Sequence, residues 1–188
     1  ALLHGGTANR LRVNLHYIDS ELLTEENVSG KLEKMDGVLV APGFGERGME
    51  GKIAAIKIAR TKKMPFFGIC LGMQLAIVEF ARNVVGIEGA NSGESRPDHP
   101  ENVIDLMPEQ EGQVETGGTM RLGSQTTVLE KATRIAKIYN QTTISERHRH
   151  RYEVMNYFVP RFEEAGLTVS GRHPERNLVE TIELAEHP

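Results

Sequence analysis

Pro65-Phe66-Phe67-Gly68-Ile69-Cys70-Leu71-Gly72-Met73-Gln74 is the stretch whose reading decides the fold. A proline breaks the preceding element, a short apolar run leads straight to the cysteine, and from Leu71 onward Leu71, Leu75, Val78 and Ala81 recur at helical spacing. The pattern is a strand that turns sharply into a helix, with Cys70 at the turn. Such a turn pushes the sulfur out of the sheet, and the first N–H groups of the helix favour a thiolate and can receive a developing oxyanion. Gly68 and Gly72 flank the sulfur and leave room for tight packing and for a substrate. This is the thiol form of a nucleophile elbow. Taken from these residues alone, a buried structural cysteine at the end of an apolar strand is equally consistent with the pattern.

Outward from the elbow, short apolar runs alternate with amphipathic stretches, as βαβ units do in a parallel sheet covered by helices. Arg12 to Ile18 alternates Val13, Leu15 and Tyr17 with polar neighbours and is expected to be a strand. Val38 to Val40 is a second short strand, stopped by the breakers Pro42-Gly43-Phe44-Gly45. Gly51 to Lys63 carries Ile53, Ala54, Ile56, Ile58 and Ala59 at helical spacing. Residues 88 to 118 are rich in Gly, Pro, Asn, Ser and acids and are expected to form loops around one strand at 103–107. Tyr157 to Ala165 predicts a helix closed by Gly166; Leu167–Ser170 and Leu178–Leu184 predict two strands joined by a turn at 171–177. The expected fold class is α/β: a flavodoxin-like open, mostly parallel sheet with helices on both faces. With no repeat and no low-complexity linker, residues 1–188 are expected to form one domain.

Composition narrows the function classes. The 188 residues are 39% hydrophobic and 26% charged, enough to bury a core. A net charge of −4 gives no basic field for a nucleic-acid backbone, so nucleic-acid binding is not expected. No apolar run approaches the roughly 18–20 residues that span a bilayer, and the start lacks the pattern of a secretory leader. The reading is a cytoplasmic protein without a membrane partner. One cysteine cannot form an internal disulfide, which suits a reducing compartment. His148 and His150 have no sequence companion at a metal-ligand spacing, so no metal is expected. The chain opens at Ala1 on a helix-like Ala-Leu-Leu-His and reads as a segment of something longer.

Gly68-Ile69-Cys70-Leu71-Gly72-Met73-Gln74 resembles the nucleophile motif of the class I glutamine amidotransferases, which use a Cys-His-Glu triad. Val40-Ala41-Pro42-Gly43-Phe44-Gly45-Glu46-Arg47-Gly48 resembles that family's oxyanion loop, with Pro42 in place of a glycine. Proline has no N–H, so a donor from this loop must be Gly43 or Phe44, paired with the amide of Leu71. Two further stretches resemble the CTP synthase branch: Gly117-Gly118-Thr119-Met120-Arg121-Leu122-Gly123, and the run from Glu146 to Val154, Glu-Arg-His-Arg-His-Arg-Tyr-Glu-Val. With Ala90-Asn91-Ser92 before Glu94, the resemblance runs along nearly the whole chain.

The resemblance implies that Cys70 attacks the side-chain amide of L-glutamine and that the released ammonia aminates UTP in a separate synthase domain, which would hold ATP, UTP and magnesium. No cofactor is implied here, although GTP could act as an effector near Arg147 or Arg149, and the intact enzyme is expected to be a tetramer. Glu94 would take the α-ammonium of glutamine and Arg151 its α-carboxylate; Gly43, Phe44, Leu71, Gly72, Met73 and Gln74 would line the rest. His173-Pro174-Glu175 spells the family's triad motif, but by position it falls in a variable hairpin turn and is expected to be a decoy. The true base and its carboxylate are expected beyond Pro188, and a first strand before Ala1. Three alternatives stay open: another class I amidotransferase, a non-catalytic glutamine-binding or filament-forming module, and a flavodoxin-like fold with an unrelated redox cysteine.

Overall fold

The computed structural model describes residues 1–106 and 120–188. Gly117, Gly118 and Thr119 of the quoted motif, and Met107 of the expected strand, lie outside the described residues.

A parallel pair forms the frame of the elbow. Strand β1 (Val38–Val40) pairs with β2 (Phe66–Gly68) in the register Val40↔Gly68. Between them runs helix α3 (Met49–Thr61), and after β2 comes helix α4 (Leu71–Phe80), continued by a π turn over Ala81–Val85. The short helices α1 (Leu2–Ala8) and α2 (Val28–Leu32) precede this unit. The helical spacing of apolar positions that predicted α3 and α4 puts Ile53, Ile56, Leu75 and Val78 into one buried core with Val40 and Leu71. The two helices are also tied by charge: the Arg60 guanidinium donates to both oxygens of Glu79 at 2.8 and 2.7 Å, and Glu79 is fully buried.

A second sheet orders β3 (Asn91–Ser92), β4 (Asn102–Asp105) and β7 (Glu153–Val154), with β3–β4 parallel and β4–β7 antiparallel. The third is antiparallel, in the order β6 (Thr143–His150), β5 (Arg121–Leu129), β8 (Leu167–Arg172), β9 (Val179–Leu184). Helices α5 (Arg134–Tyr139) and α6 (Val159–Glu164) complete the elements. The α/β class with a strand–Cys–helix elbow is as expected. Among the described residues parallel pairing is confined to the ladders around α4; the longer ladders are antiparallel, β8–β9 being a hairpin and β5–β6 two neighbouring strands joined through α5.

One expectation fails outright. Arg12 to Ile18 is not a strand: residues 11–19 join no ladder, and Leu11, Leu15, Tyr17 and Ile18 are exposed. Period-two alternation marks a strand only where one face is covered and the backbone has a ladder partner, and among the described residues this segment has neither.

Candidate active site

Cys70 takes φ 56° and ψ −110°, a backbone conformation a non-glycine residue adopts only under strain. Two backbone contacts hold it there. A Cβ on Gly72 would lie 2.2 Å from the Val40 carbonyl oxygen, and one on Gly68 would lie 2.6 Å from the Gly72 carbonyl. Both glycines are therefore fixed by close approach between the β1 end, the β2 end and the first turn of α4, a stricter requirement than the room for substrate that the motif suggested. Burial pushes the Cys70 thiol above its usual range, against the stabilising Leu71 N–H, and Glu94 and Glu153 push the same way. The expected net favouring of thiolate by the helix end is thus reversed: at a half-buried sulfur, desolvation outweighs one aligned N–H.

On one side of the sulfur, Gly43, Phe44, Cys70, Gln74, Glu94, Met120, His150, Arg151 and Tyr152 enclose a cavity of about 80 Å³. The loop carrying Gly43 packs on Leu71, whose Cδ2 would be 3.2 Å from a Cβ at position 43. Glu94 accepts from the Gly45 N–H at 2.7 Å, anchoring this loop from the second sheet. The Gln74 side-chain amide donates to the Tyr152 carbonyl at 2.9 Å. Arg149 lies with its guanidinium carbon 5.8 Å from the Phe44 ring centre, and its carbonyl oxygen is 3.9 Å from Cys70 Sγ. Residues 149–152 thus form an arch over the nucleophile. The chain brings Gly43, Phe44, Cys70, Gln74, Glu94 and Arg151 to one cavity. Leu71 and Gly72 are buried and line neither cavity, while Met73 faces a wider groove of about 470 Å³ between β2 and β9.

Behind the arch lies a charged cluster that the sequence reading missed. Along β6 the Arg-His-Arg-His run alternates: Arg147 and Arg149 point to solvent, His148 and His150 inward. His148 Nδ1 meets His150 Nε2 at 2.8 Å, and His150 Nδ1 lies 3.3 Å from the Tyr152 carbonyl. The tautomers consistent with this chain have His150 Nδ1–H donating to Tyr152 and its Nε2 accepting from His148. Arg121 donates to Glu153 at 3.1 Å and to Glu180 at 2.7 Å, all three nearly inaccessible. Burial drives the His150 pKa down to about 4, with Arg121 and His148 adding to it, and lowers His148 as well. Burial drives Glu153 up to about 7 despite Arg121. Glu180 also supplies the histidines with the companion that sequence spacing lacked, since donor atoms of His148, His150 and Glu180 lie within 4.8 Å of one another. Arg121 already places a positive charge there. The signal was available: period-two alternation of Arg and His is a strand with one buried face.

His173 lies in the β8–β9 turn, where its Nδ1 accepts from the N–H groups of Glu175 and Arg176 at 3.3 Å. It lines neither cavity at Cys70. Both ring nitrogens of His150, which lines both, are engaged by His148 and the Tyr152 carbonyl.

The family model for class-I glutamine amidotransferases matches residues 1–188. The chain belongs to this family. Within the class-I glutamine amidotransferases, its full-length likeness is to CTP synthases: 54% identity over 188 residues to that of Geobacter metallireducens and 50% to that of Listeria innocua, each match covering all of this chain and 35% of the relative. The chain therefore spans about a third of those relatives' length. Among solved structures, the Trypanosoma brucei CTPS glutaminase domain with bound acivicin superposes with a TM-score of 0.91 at 36% identity, covering 98% of this chain and 72% of that one.

Proposed function

We propose that this domain hydrolyses L-glutamine at Cys70 and supplies the ammonia for the ATP-dependent amination of UTP to CTP, carried out by a synthase domain of the same protein. The observation that carries the reading is the strained Cys70 elbow opening on a cavity shared with the Gly43–Phe44 loop, Glu94 and Arg151. The Cys70 thiolate adds to the side-chain amide carbon, and the tetrahedral oxyanion is received by the N–H groups of Leu71 and Gly43. The C–N bond breaks with a proton delivered to nitrogen, ammonia leaves, and water hydrolyses the thioester to glutamate. Glu94 takes the substrate's α-ammonium and Arg151 its α-carboxylate, a charge-assisted pairing suited to a free amino acid.

The raised thiol pKa makes an external base necessary, and the groove between β2 and β9 gives access to the sulfur from the side opposite the loop. No metal or organic cofactor is assigned to this domain; ATP, UTP and magnesium belong to the synthase domain, and GTP to an effector role. The reading includes a cytoplasmic homo-oligomer. The name of the acivicin-bound relative supports a site for a glutamine analogue.

The test is Cys70→Ser in the full-length protein, which should abolish glutamine-dependent CTP formation and spare synthesis from free ammonia. Loss of both would make Cys70 structural. A second reading is glutamine binding without turnover; bound glutamine with no ammonia release by the full-length protein would select it.

A further inference from the structure

We propose that Glu153 is the positioning residue of this site, holding the 149–152 arch over Cys70 through its clamp on Arg121. The proposal rests on the glutaminase reading above and names a residue that does not itself line the loop-side cavity but lies behind His150, which does. The arch delivers three groups to the site: the Arg149 carbonyl at Cys70 Sγ, the Arg151 side chain in the cavity, and the Tyr152 carbonyl to Gln74. Arg149 and His150 end the β6 ladder against Leu122 and Arg121, whereas Arg151 and Tyr152 form a two-residue break before β7 that lies outside both ladders.

Beside the Gln74 amide on the Tyr152 carbonyl, the next side chain braces it. Glu153 is buried on the short strand β7, paired to Asp105 of β4, and its carboxylate receives Arg121 from β5 at 3.1 Å. Arg121 is held in turn by Glu180 of β9 at 2.7 Å. His150 Nδ1, at the other end of the arch, lies 3.4 Å from the same Glu153 oxygen. One carboxylate therefore touches the arch's entry through His150 and follows its exit directly, while Arg121 ties it to the two strands behind. Moving Glu153 would shift Arg151 and the Tyr152 carbonyl together, while the sulfur, held by Gly68 and Gly72, would stay in place.

The two holds separate experimentally in the full-length protein. Glu153→Gln keeps the shape and weakens the clamp. Its KM for glutamine should rise ~10-fold with kcat within ~3-fold, since binding contacts made alike in ground and transition states are lost. Inactivation by acivicin, an amino acid that needs the arch, should slow in parallel, whereas alkylation of Cys70 by iodoacetamide should stay within ~2-fold. An unchanged KM, or equal slowing by both reagents, overturns the proposal. If Glu153→Gln does not fold, Arg121→Lys decides: it keeps the charge without the fork and should raise KM ~3-fold, and an unchanged KM refutes the role. Glutamine turnover by Cys70→Ser would instead refute the underlying glutaminase reading, which keeps the two failures apart.

Discussion

In the folded chain Glu153 sits between opposing influences: burial favours its neutral form, Arg121 its charged form, and burial prevails, lifting the pKa from 4.5 to about 7. A carboxyl group that holds its proton more tightly when folded stabilises the protein at low pH. That contribution is complete below about 4.5 and is lost as pH rises to about 7, because the folded state binds more protons than the unfolded one across this window. At 1.36 kcal/mol per pH unit the loss amounts to about 3 kcal/mol. His150 acts in the opposite sense. Its folded pKa of about 4 lies below the ordinary 6.5, so stability rises with pH between those values, also by about 3 kcal/mol. The two slopes nearly cancel in the parent chain. Glu153→Gln removes one of them. The assay is urea unfolding by far-UV circular dichroism, for parent and variant, at half-unit steps from pH 4 to 7.5. The stability of the variant minus that of the parent should climb by about 3 kcal/mol between pH 4.5 and 7, with titrating groups remote from Glu153 cancelling in the difference. A flat difference would mean that Glu153 titrates normally. A falling one would mean that Arg121 outweighs burial, and the reasoning about this cluster would be refuted.

Gly72→Ala places a methyl group 2.2 Å from the Val40 carbonyl oxygen, where only backbone could yield, and should cost on the order of 3 kcal/mol in a urea melt. Glu79→Ala strips a fully buried carboxylate from Arg60, leaving a void between α3 and α4; a loss of about 3 kcal/mol is expected, and a loss below about 1 would show the pair to be dispensable. Because burial raises the Cys70 pKa, the rate of iodoacetamide alkylation of this chain should still be climbing at pH 9, and a plateau below pH 8 would contradict it.

The parts of the fold legible in the sequence were those whose signals are local. Pro65, the apolar run and the helical spacing after Cys70 fixed β2 and α4 because the same residues that make the elements also cover them. The β8–β9 hairpin was readable from its turn residues. Arg12 to Ile18 misled because alternation says nothing about whether a partner strand is at hand. The β5–β6 pair escaped notice because its inward face is charged: Arg121, His148 and His150 occupy positions where apolar residues would have announced a strand. The candidate site followed the same division. Gly43, Phe44, Gln74, Glu94 and Arg151 came from motif resemblance and meet in one cavity, but Glu153 and Glu180 could be placed only once strands distant in sequence were brought side by side. The direction of the Cys70 pKa also lay beyond sequence, since the helix end is a local feature and burial is not.

The positive φ at Cys70 sets stability against chemistry at a single position. Glycine would relieve the backbone there by about 1 kcal/mol relative to alanine, at the cost of the sulfur. A lineage of this chain freed from hydrolysing glutamine would gain by drifting to glycine at position 70, so the residue found there in a new relative is a one-letter record of whether its nucleophile is still under selection.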